Sequence, residues 1–269
     1  MIEGDDPLIG AVLNERYEIV GRVGAGAMGS VYRARQLRLG RDVAVKVLSG
    51  EVDRRARRRL HREARAVARI SDPHVVAVHD YGETAEGDPY LVMELVPGPT
   101  VSTWRRGEPD LPAILAAADG MLAGLAAAHA RDVLHRDLKP ANMLVRDGDP
   151  SQVVLVDFGI AAVLSGETME EPLTREGTVV GTPLYMSPEQ AMGQHVGPEG
   201  DVYAAAVVIY EWLTGQPPFV GSVEDVMRSH AFRPPPPLVP RARLGDVPRE
   251  VVDVVLQALS KRPAARFAD

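Results

Sequence analysis

Several short clusters along the chain hold the residue types that chemistry needs. The first, Gly24-Ala25-Gly26-Ala27-Met28-Gly29-Ser30-Val31, spells a GxGxxGxV loop. Glycines lack a Cβ, so the backbone amides of such a loop can approach phosphate oxygens closely. The same spacing marks dinucleotide-binding folds, and a plain hairpin turn would also account for it. Context separates the readings: a dinucleotide loop opens into a helix, whereas Ser30–Gln36 continues as a strand pattern with Val31 and Tyr32. Lys46 follows in Val43-Ala44-Val45-Lys46, where it shares a strand face with Ala44. A lysine beside alanine suggests a lined cleft; standing alone, it would read as an exposed edge residue. Glu63 falls on the apolar side of a helix pattern, where a carboxylate needs a cationic partner, and Lys46 is available. Further on stand His135-Arg136-Asp137-Leu138-Lys139-Pro140-Ala141-Asn142, then Asp157-Phe158-Gly159, then Ser187-Pro188-Glu189. Single acids at such places are ordinarily turn formers or helix caps. Two acids at the ends of hairpin-associated segments fit that reading poorly.

These residues need elements to position them. Tyr17–Val23, Ser30–Gln36 and Asp42–Leu48 alternate in character and are parted by glycine-containing turns, which predicts strands. A helix is expected from Asp53 to Ile70, with Leu60, Ala64, Val67 and Ile70 on one stripe at about 100° per residue. Arg54, Arg55, Arg58, Arg62 and Arg65 point away from it and read as a solvated face rather than a phosphate-binding patch. Tyr90–Val96 reads as another strand, and Pro97-Gly98-Pro99 as a break that could join two lobes. Beyond it the pattern turns helical, starting with Pro112–Ala130. Met143–Arg146 and Val153–Val156 flank Asp147-Gly148-Asp149-Pro150 as a hairpin. The polar stretch from about Leu164 to Val180 shows no period, and a loop that long inside a compact domain is usually functional. Pro234–Pro237 reads as a rigid connector rather than a polyproline ligand.

Composition narrows the function classes. The chain has 269 residues, enough for one large domain or two small lobes around a cleft. Its net charge of −7 argues against a general nucleic-acid binder, which needs a basic surface. The absence of cysteine excludes disulfides, thiol nucleophiles and thiolate metal sites, and fits a cytoplasmic protein. The acidic start, Met1 to Pro7, lacks the apolar core of a signal peptide. Pro112–His129 and Val202–Tyr210 read as buried helices, so no membrane contact is expected within this segment; an anchor beyond residue 269 stays open.

The ordered series of motifs resembles the protein kinase family, and within it the bacterial members of the eukaryotic-like Ser/Thr kinases. The resemblance runs from about Tyr17 to Arg266. It implies an α+β bilobal fold, with an N-terminal tail at 1–16, a small antiparallel β lobe with one key helix at 17–96, and a mainly helical lobe at 97–269. ATP would bind in the cleft. By resemblance, Gly24, Gly26 and Gly29 cover the phosphates, Lys46 holds the α- and β-phosphates, and Glu63 fixes its ammonium. Asn142 and Asp157 are hard oxygen ligands suited to Mg²⁺, with Mn²⁺ as the alternative ion. Asp137 takes or orients the proton of the attacking hydroxyl, and Lys139 neutralises the γ-phosphate. Met93 stands as gatekeeper, the backbone of Glu94 and Val96 meets the purine edge, and Val23, Val31, Ala44 and Leu144 sandwich its faces. Lys-Pro-Ala-Asn at 139–142 and Thr182 in Gly-Thr-Pro-Leu-Tyr resemble Ser/Thr rather than Tyr kinases. The implied substrates are proteins bearing Ser or Thr, with a second copy of the chain, in a homodimer, as a candidate partner for trans-autophosphorylation. Glu189 is expected to pair with Arg266.

The sequence departs from the family pattern at two places. Asp201-Val202-Tyr203-Ala204-Ala205-Ala206 replaces the usual Ser-Leu-Gly after the helix aspartate, and small residues there still permit close packing. The sequence ends at Asp269, where the family resembled has one more helix, so a longer natural protein is expected. A pseudokinase scaffold is the alternative, though Lys46, Asp137 and Asp157, whose loss would favour it, are all present. A dinucleotide-binding oxidoreductase would need a helix directly after Gly29.

The resemblance also frames regulation. Arg136 sets a cation beside Asp137, and a phosphothreonine in the loop between Gly159 and Gly181 would supply the matching anion. Thr174 and Thr178 are the best-placed acceptors, ahead of Thr168, while Thr182 is expected to contact Asp137 and Lys139. Autophosphorylated protein should carry phosphate on Thr174 or Thr178 by mass spectrometry, and Thr174→Ala/Thr178→Ala should lose most activity toward an added substrate. Undiminished activity in the double variant would show regulation of another kind.

Overall fold

A computed structural model describes residues 6–26, 29–48, 54–158 and 183–268. They divide into two compact units, the smaller running to Ser71 with Val76–Val96, the larger taking Asp72–Val75 and the chain from Pro97 onward.

Alternating β-branched and aromatic residues build the smaller unit. Strands β1 (Val12–Leu13), β2 (Tyr17–Gly26), β3 (Gly29–Gln36), β4 (Arg41–Leu48), β5 (Val78–Glu83) and β6 (Pro89–Glu94) make one antiparallel sheet in the order β1-β2-β3-β4-β6-β5. Period-two alternation puts Val43, Val45 and Val47 on one face, where they join Leu13, Tyr17, Ile19, Tyr32, Ala34, Tyr90 and Val92 in the core. Helix α1 (Arg54–Val67) buries Leu60, Ala64 and Val67, with Ile70 just past its end, and leaves Arg58, Arg62 and Arg65 exposed. The apolar stripe is as the period predicts, as is the solvated face at Arg58, Arg62 and Arg65; the side chains of Arg54 and Arg55 lie outside the described residues.

Several boundaries differ from the sequence reading. The helix stops at Val67 rather than Ile70, because Ile70 N turns back to Val67 O at 2.9 Å. The strand expected to reach Val96 ends at Glu94. Residues assigned to an N-terminal tail add the edge strand β1, with Gly10 N donating to Ile19 O and Ile19 N to Ala11 O, both at 2.9 Å. Two residues are too few to show a period. Strand β5 was also missed, since Val78-His79-Asp80-Tyr81-Gly82-Glu83 does not alternate apolar with polar residues.

The larger unit is mainly helical: α2 (Val101–Trp104), α3 (Leu111–His129), α4 (Pro188–Ala191), α5 (Pro198–Thr214), α6 (Val223–Phe232) and α7 (Arg249–Ala258), with one hairpin of β7 (Met143–Val145) and β8 (Val153–Leu155). Asp110 caps α3 by accepting from Ala113 N at 3.0 Å. Helix α3 is long and apolar enough to cross a membrane. Here it packs against α5 and β8, burying Ile114, Ala117, Met121, Leu125 and Ala128. The β7–β8 hairpin is as expected, with each strand one residue shorter and a longer connection. That connection contains two 3₁₀ turns, Arg146–Gly148 and Pro150–Gln152, the second capped by Asp149 accepting from Ser151 N. In α5 the run Ala204-Ala205-Ala206 is buried, as its small size allows. The four residues 72–75 join this unit through Leu155 N donating to His74 O at 2.8 Å.

Glu189 of α4 meets Arg266 in a bidentate pair, Nη1 to Oε1 at 2.7 Å and Nη2 to Oε2 at 2.9 Å. Arg266 also donates to the carbonyls of Glu199, Ser260 and Lys261, so all its N–H directions are used. Both side chains are buried. Removing one partner would strand the other charge, at a cost of about 3–5 kcal/mol. Arg266→Ala should therefore shift the urea midpoint by that equivalent. A shift below the equivalent of about 1 kcal/mol would show that water reaches Glu189.

Candidate functional site

The larger unit carries the tightest polar cluster, built around a carboxylate on α5. Asp201 is buried, and its Oδ2 accepts from His135 N at 2.7 Å and from His129 Nε2 at 2.9 Å. Its Oδ1 accepts from Arg136 N at 2.8 Å. Arg136 has φ 62°, a left-handed conformation that disfavours a residue with a side chain. Three donors on one buried carboxylate hold the backbone in that bend, which delivers Asp137. Asp137 N then donates to His135 O at 2.8 Å.

The Asp137 carboxylate is held in turn. Lys139 Nζ lies 2.8 Å from Oδ2 and 3.1 Å from Oδ1. Asn142 Nδ2 donates to Asp137 Oδ2 at 2.9 Å and to Asp137 O at 2.8 Å. The amide oxygen of Asn142 is thereby left to face elsewhere. The hairpin sets Asn142 opposite the residue before Asp157, with Val156 N donating to Asn142 O at 3.0 Å. His135 Nε2 donates to Val156 O at 3.0 Å, and the His135 ring lies 4.7 Å from that of Phe158. Burial pushes the His135 imidazole below its usual range despite the nearby carboxylates of Asp201, Asp137 and Asp157. A neutral ring that donates from Nε2 suits this carbonyl.

Asp157 has φ 65°, a second left-handed residue, so both candidate acids follow or occupy strained backbone. A magnesium ion fits the donor set. Asn142, in the 3₁₀ turn that leads into β7, and Asp157, just past the end of β8, offer hard oxygens, and no group of three or more His, Cys, Asp or Glu residues forms a closed metal site among the described residues. Mg²⁺ commonly takes one or two protein oxygens and fills its sphere with water and phosphate.

In the smaller unit, the register gathers the residues expected to meet ATP. Cross-strand partners share a face. Val31 pairs with Lys46, Lys46 with Leu91, and Ala44 with Met93, so all of these occupy the face opposite the valine core. Ala44, Lys46 and Met93 are buried, Val31 is half-buried and Val23 is exposed beside a bulge. The backbone N–H of Glu94 donates to Ala77 O at 2.9 Å. Val96 is buried at the end of the unit. Leu144 lies on β7 of the larger unit, paired with Val154.

The glycine loop follows a β-hairpin, not a helix, with Gly26 opposite Gly29. Gly29 has φ 136°, and a Cβ there would fall 2.0 Å from Val47 O. At Gly24 and Gly26 a Cβ would meet no atom of the other described residues within 4 Å. Among those residues nothing demands glycine at these two positions, which leaves room for an approaching phosphate.

Glu63 is half-buried, and its Oε1 lies 3.6 Å from Arg62 Nη2, a partner that the sequence reading did not name. Thr168, Thr174, Thr178 and Thr182 lie outside the described residues. The sequence reading also missed Gln190. Its Nε2 donates to Arg136 O at 2.7 Å, while its Oε1 accepts from Ser187 N and its own N donates to Ser187 Oγ. The Ser-x-x-Gln spacing of a capping box was a usable signal.

Residues 17–268 match the family model described as protein kinase domain. The chain is 38% identical to the serine/threonine-protein kinase PknL of Mycobacterium tuberculosis over 98% of its length, which is 65% of that protein. It is 39% identical to PknA of the same species over 97% of its length and 60% of that protein. It is 37% identical to Pkn1 of Myxococcus xanthus over 100% of its length, and spans 38% of that protein. It thus covers from just over a third to about two thirds of these relatives. The solved PknI kinase domain of M. tuberculosis superposes with a TM-score of 0.70 at 30% identity, covering 96% of this chain and 92% of that one.

Asp201→Asn should separate geometry from charge. An amide cannot accept three N–H bonds with both of its polar atoms, so the bend at Arg136 loses support. Turnover should fall by about 10²-fold or more, with the KM for ATP changed less than about threefold. Unchanged turnover would mean that Asp201 does not position Asp137.

Proposed function

The chain belongs to the protein kinase family, with bacterial Ser/Thr kinases among its relatives, and we propose that it transfers the γ-phosphoryl group of ATP to Ser and Thr hydroxyls of proteins. The observation that carries this reading is the held carboxylate of Asp137, fixed by Lys139 and Asn142 on a loop clamped by Asp201. In the transfer, the substrate hydroxyl oxygen bonds to the γ-phosphorus as the bond to the β-phosphate oxygen breaks. ADP leaves and the hydroxyl proton passes to Asp137. Lys139 meets the negative charge of the moving phosphoryl group. Lys46 binds the α- and β-phosphates, and Glu63 fixes its ammonium.

Asn142 and Asp157 hold Mg²⁺, which when bound neutralises charge on the phosphates. The open space at Gly24 and Gly26 accommodates those phosphates. Met93, Ala44, Val31, Val23 and Leu144 receive the adenine, and the backbone of Glu94 and Val96 its edge. Arg136 receives a phosphothreonine from Thr174 or Thr178, placed there by a second copy of the chain in the cytoplasm.

Labelled ATP with Mg²⁺ provides the test. Wild-type chain should incorporate label, and phosphoamino-acid analysis should give phosphoserine or phosphothreonine. Asp137→Asn should lower the rate by about 10³-fold while nucleotide binding persists, in the range expected for a lost general base. Asp157→Asn should specifically weaken Mg²⁺-dependent nucleotide binding. Near wild-type turnover in both variants would overturn the mechanism.

A further inference from the structure

Beneath the turn at Pro183–Tyr185, a chain of hydrogen bonds runs through the interior of the larger unit without touching Asp137. His230 of α6 is fully buried, and its Nε2 lies 3.0 Å from Leu184 O. A carbonyl only accepts, so Nε2 carries the proton. The other ring nitrogen, Nδ1, lies 2.9 Å from the Tyr203 hydroxyl and is then the acceptor, with Tyr203 donating. Lys261 Nζ donates to the Tyr203 oxygen at 3.1 Å and to Ser229 O at 3.3 Å. The polarity is set end to end: Lys261 to Tyr203, Tyr203 to His230, His230 to the Leu184 carbonyl.

The surroundings keep that order. Lys261 stands 4.5 Å from the centroid of Phe219 and 5.4 Å from that of Tyr203, and Arg266 covers Tyr203 at 4.9 Å. The rings of Phe219 and Tyr203 pack edge-on to His230. Burial, reinforced by the Lys261 charge, pushes the His230 imidazole down to about 4, so it stays neutral and keeps one donor and one acceptor. Burial and Arg266 likewise push the Lys261 ammonium down to about 8. A buried histidine with both nitrogens used, and aimed at one loop carbonyl, does more than fill space.

That loop adjoins the chemistry. Tyr185 is pinned by its hydroxyl donating to Glu211 Oε2 at 2.8 Å, and five residues later Gln190 donates to Arg136 O. Leu184 and Met186 are half-exposed apolar side chains on this stretch. A protein bringing a hydroxyl to Asp137 must lay its neighbouring residues along the chain beside the catalytic loop.

Resting on the kinase reading above, we infer that His230 is a positioning residue for the protein substrate. It holds Leu184, and so the 183–185 turn, through a relay whose direction Tyr203 and Lys261 fix. His230 touches neither ATP nor the reacting hydroxyl. Its loss should loosen the docking of protein and spare the handling of nucleotide.

The test is steady-state kinetics of the purified chain with dephosphorylated casein as protein substrate. His230→Phe keeps the ring volume and removes both hydrogen bonds. It should raise the KM for casein about fivefold or more, with the KM for ATP and the slow hydrolysis of ATP without casein unchanged. His230→Gln restores an N–H donor near the Nε2 position and should bring the KM for casein to within about twofold of wild type. Should His230→Phe fail to fold, Tyr203→Phe removes only the relay hydroxyl and should raise the KM for casein by about twofold to threefold. Equal KM values in wild type and the Phe variants, or equal losses in the Phe and Gln variants at His230, would overturn the positioning role. A wild-type chain that turns over no ATP would contradict the kinase reading itself.

Discussion

The larger unit is organised around the carboxylate of Asp201. A buried charge needs full compensation, and here three N–H groups supply it. Hydrogen bonds to a charged acceptor contribute about 1.5–3 kcal/mol each, while a left-handed non-glycine residue costs about 1–3 kcal/mol. The magnitudes favour the bond network, so the strained bend at Arg136 is held. Helix α5 can present that carboxylate because it is buried along most of its length, from Gly200 to Leu213. The catalytic loop is thus shaped by the core, and its acid arrives already oriented by Lys139 and Asn142.

The same economy governs the segment before α5. Helix α4 has only four residues, too short to be stable alone. Its end is fastened by the Ser187–Gln190 capping box, by Gln190 reaching Arg136 O, and by the buried Glu189–Arg266 pair. Ahead of it, Leu184 and Tyr185 are tied to α6 and α5. Phosphoryl transfer asks chiefly for placement and charge neutralisation, and these contacts supply placement by connecting short irregular segments to long buried helices.

Much of this was legible in the sequence, for a physical reason. Period-two alternation in Val43–Lys46 separates a core face from a lined face, and the register confirms that Val31, Ala44, Lys46 and Met93 share the latter. Leu60, Ala64, Val67 and Ile70 mark the buried side of α1 by their spacing alone. Spacing is local, however, and the partners that matter most are distant. His129 and Asp201 are 72 residues apart, and Glu189 and Arg266 are 77 apart. The second pair was expected mainly through family resemblance. The His230–Tyr203–Lys261 relay left no pattern, because Tyr203 lies in an apolar run and its partners are 27 and 58 residues away. Strands β1 and β5 escaped for lack of alternation.

The claim that one buried carboxylate preorganises the catalytic loop is tested most directly by amide hydrogen exchange at single-residue resolution. The N–H groups of His135 and Arg136 sit in a loop, yet both donate to Asp201. The account predicts that they exchange as slowly as Val207 and Val208 in the middle of α5, through opening of the whole unit. Exchange as fast as that of Gly148, in the exposed β7–β8 connection, would contradict it.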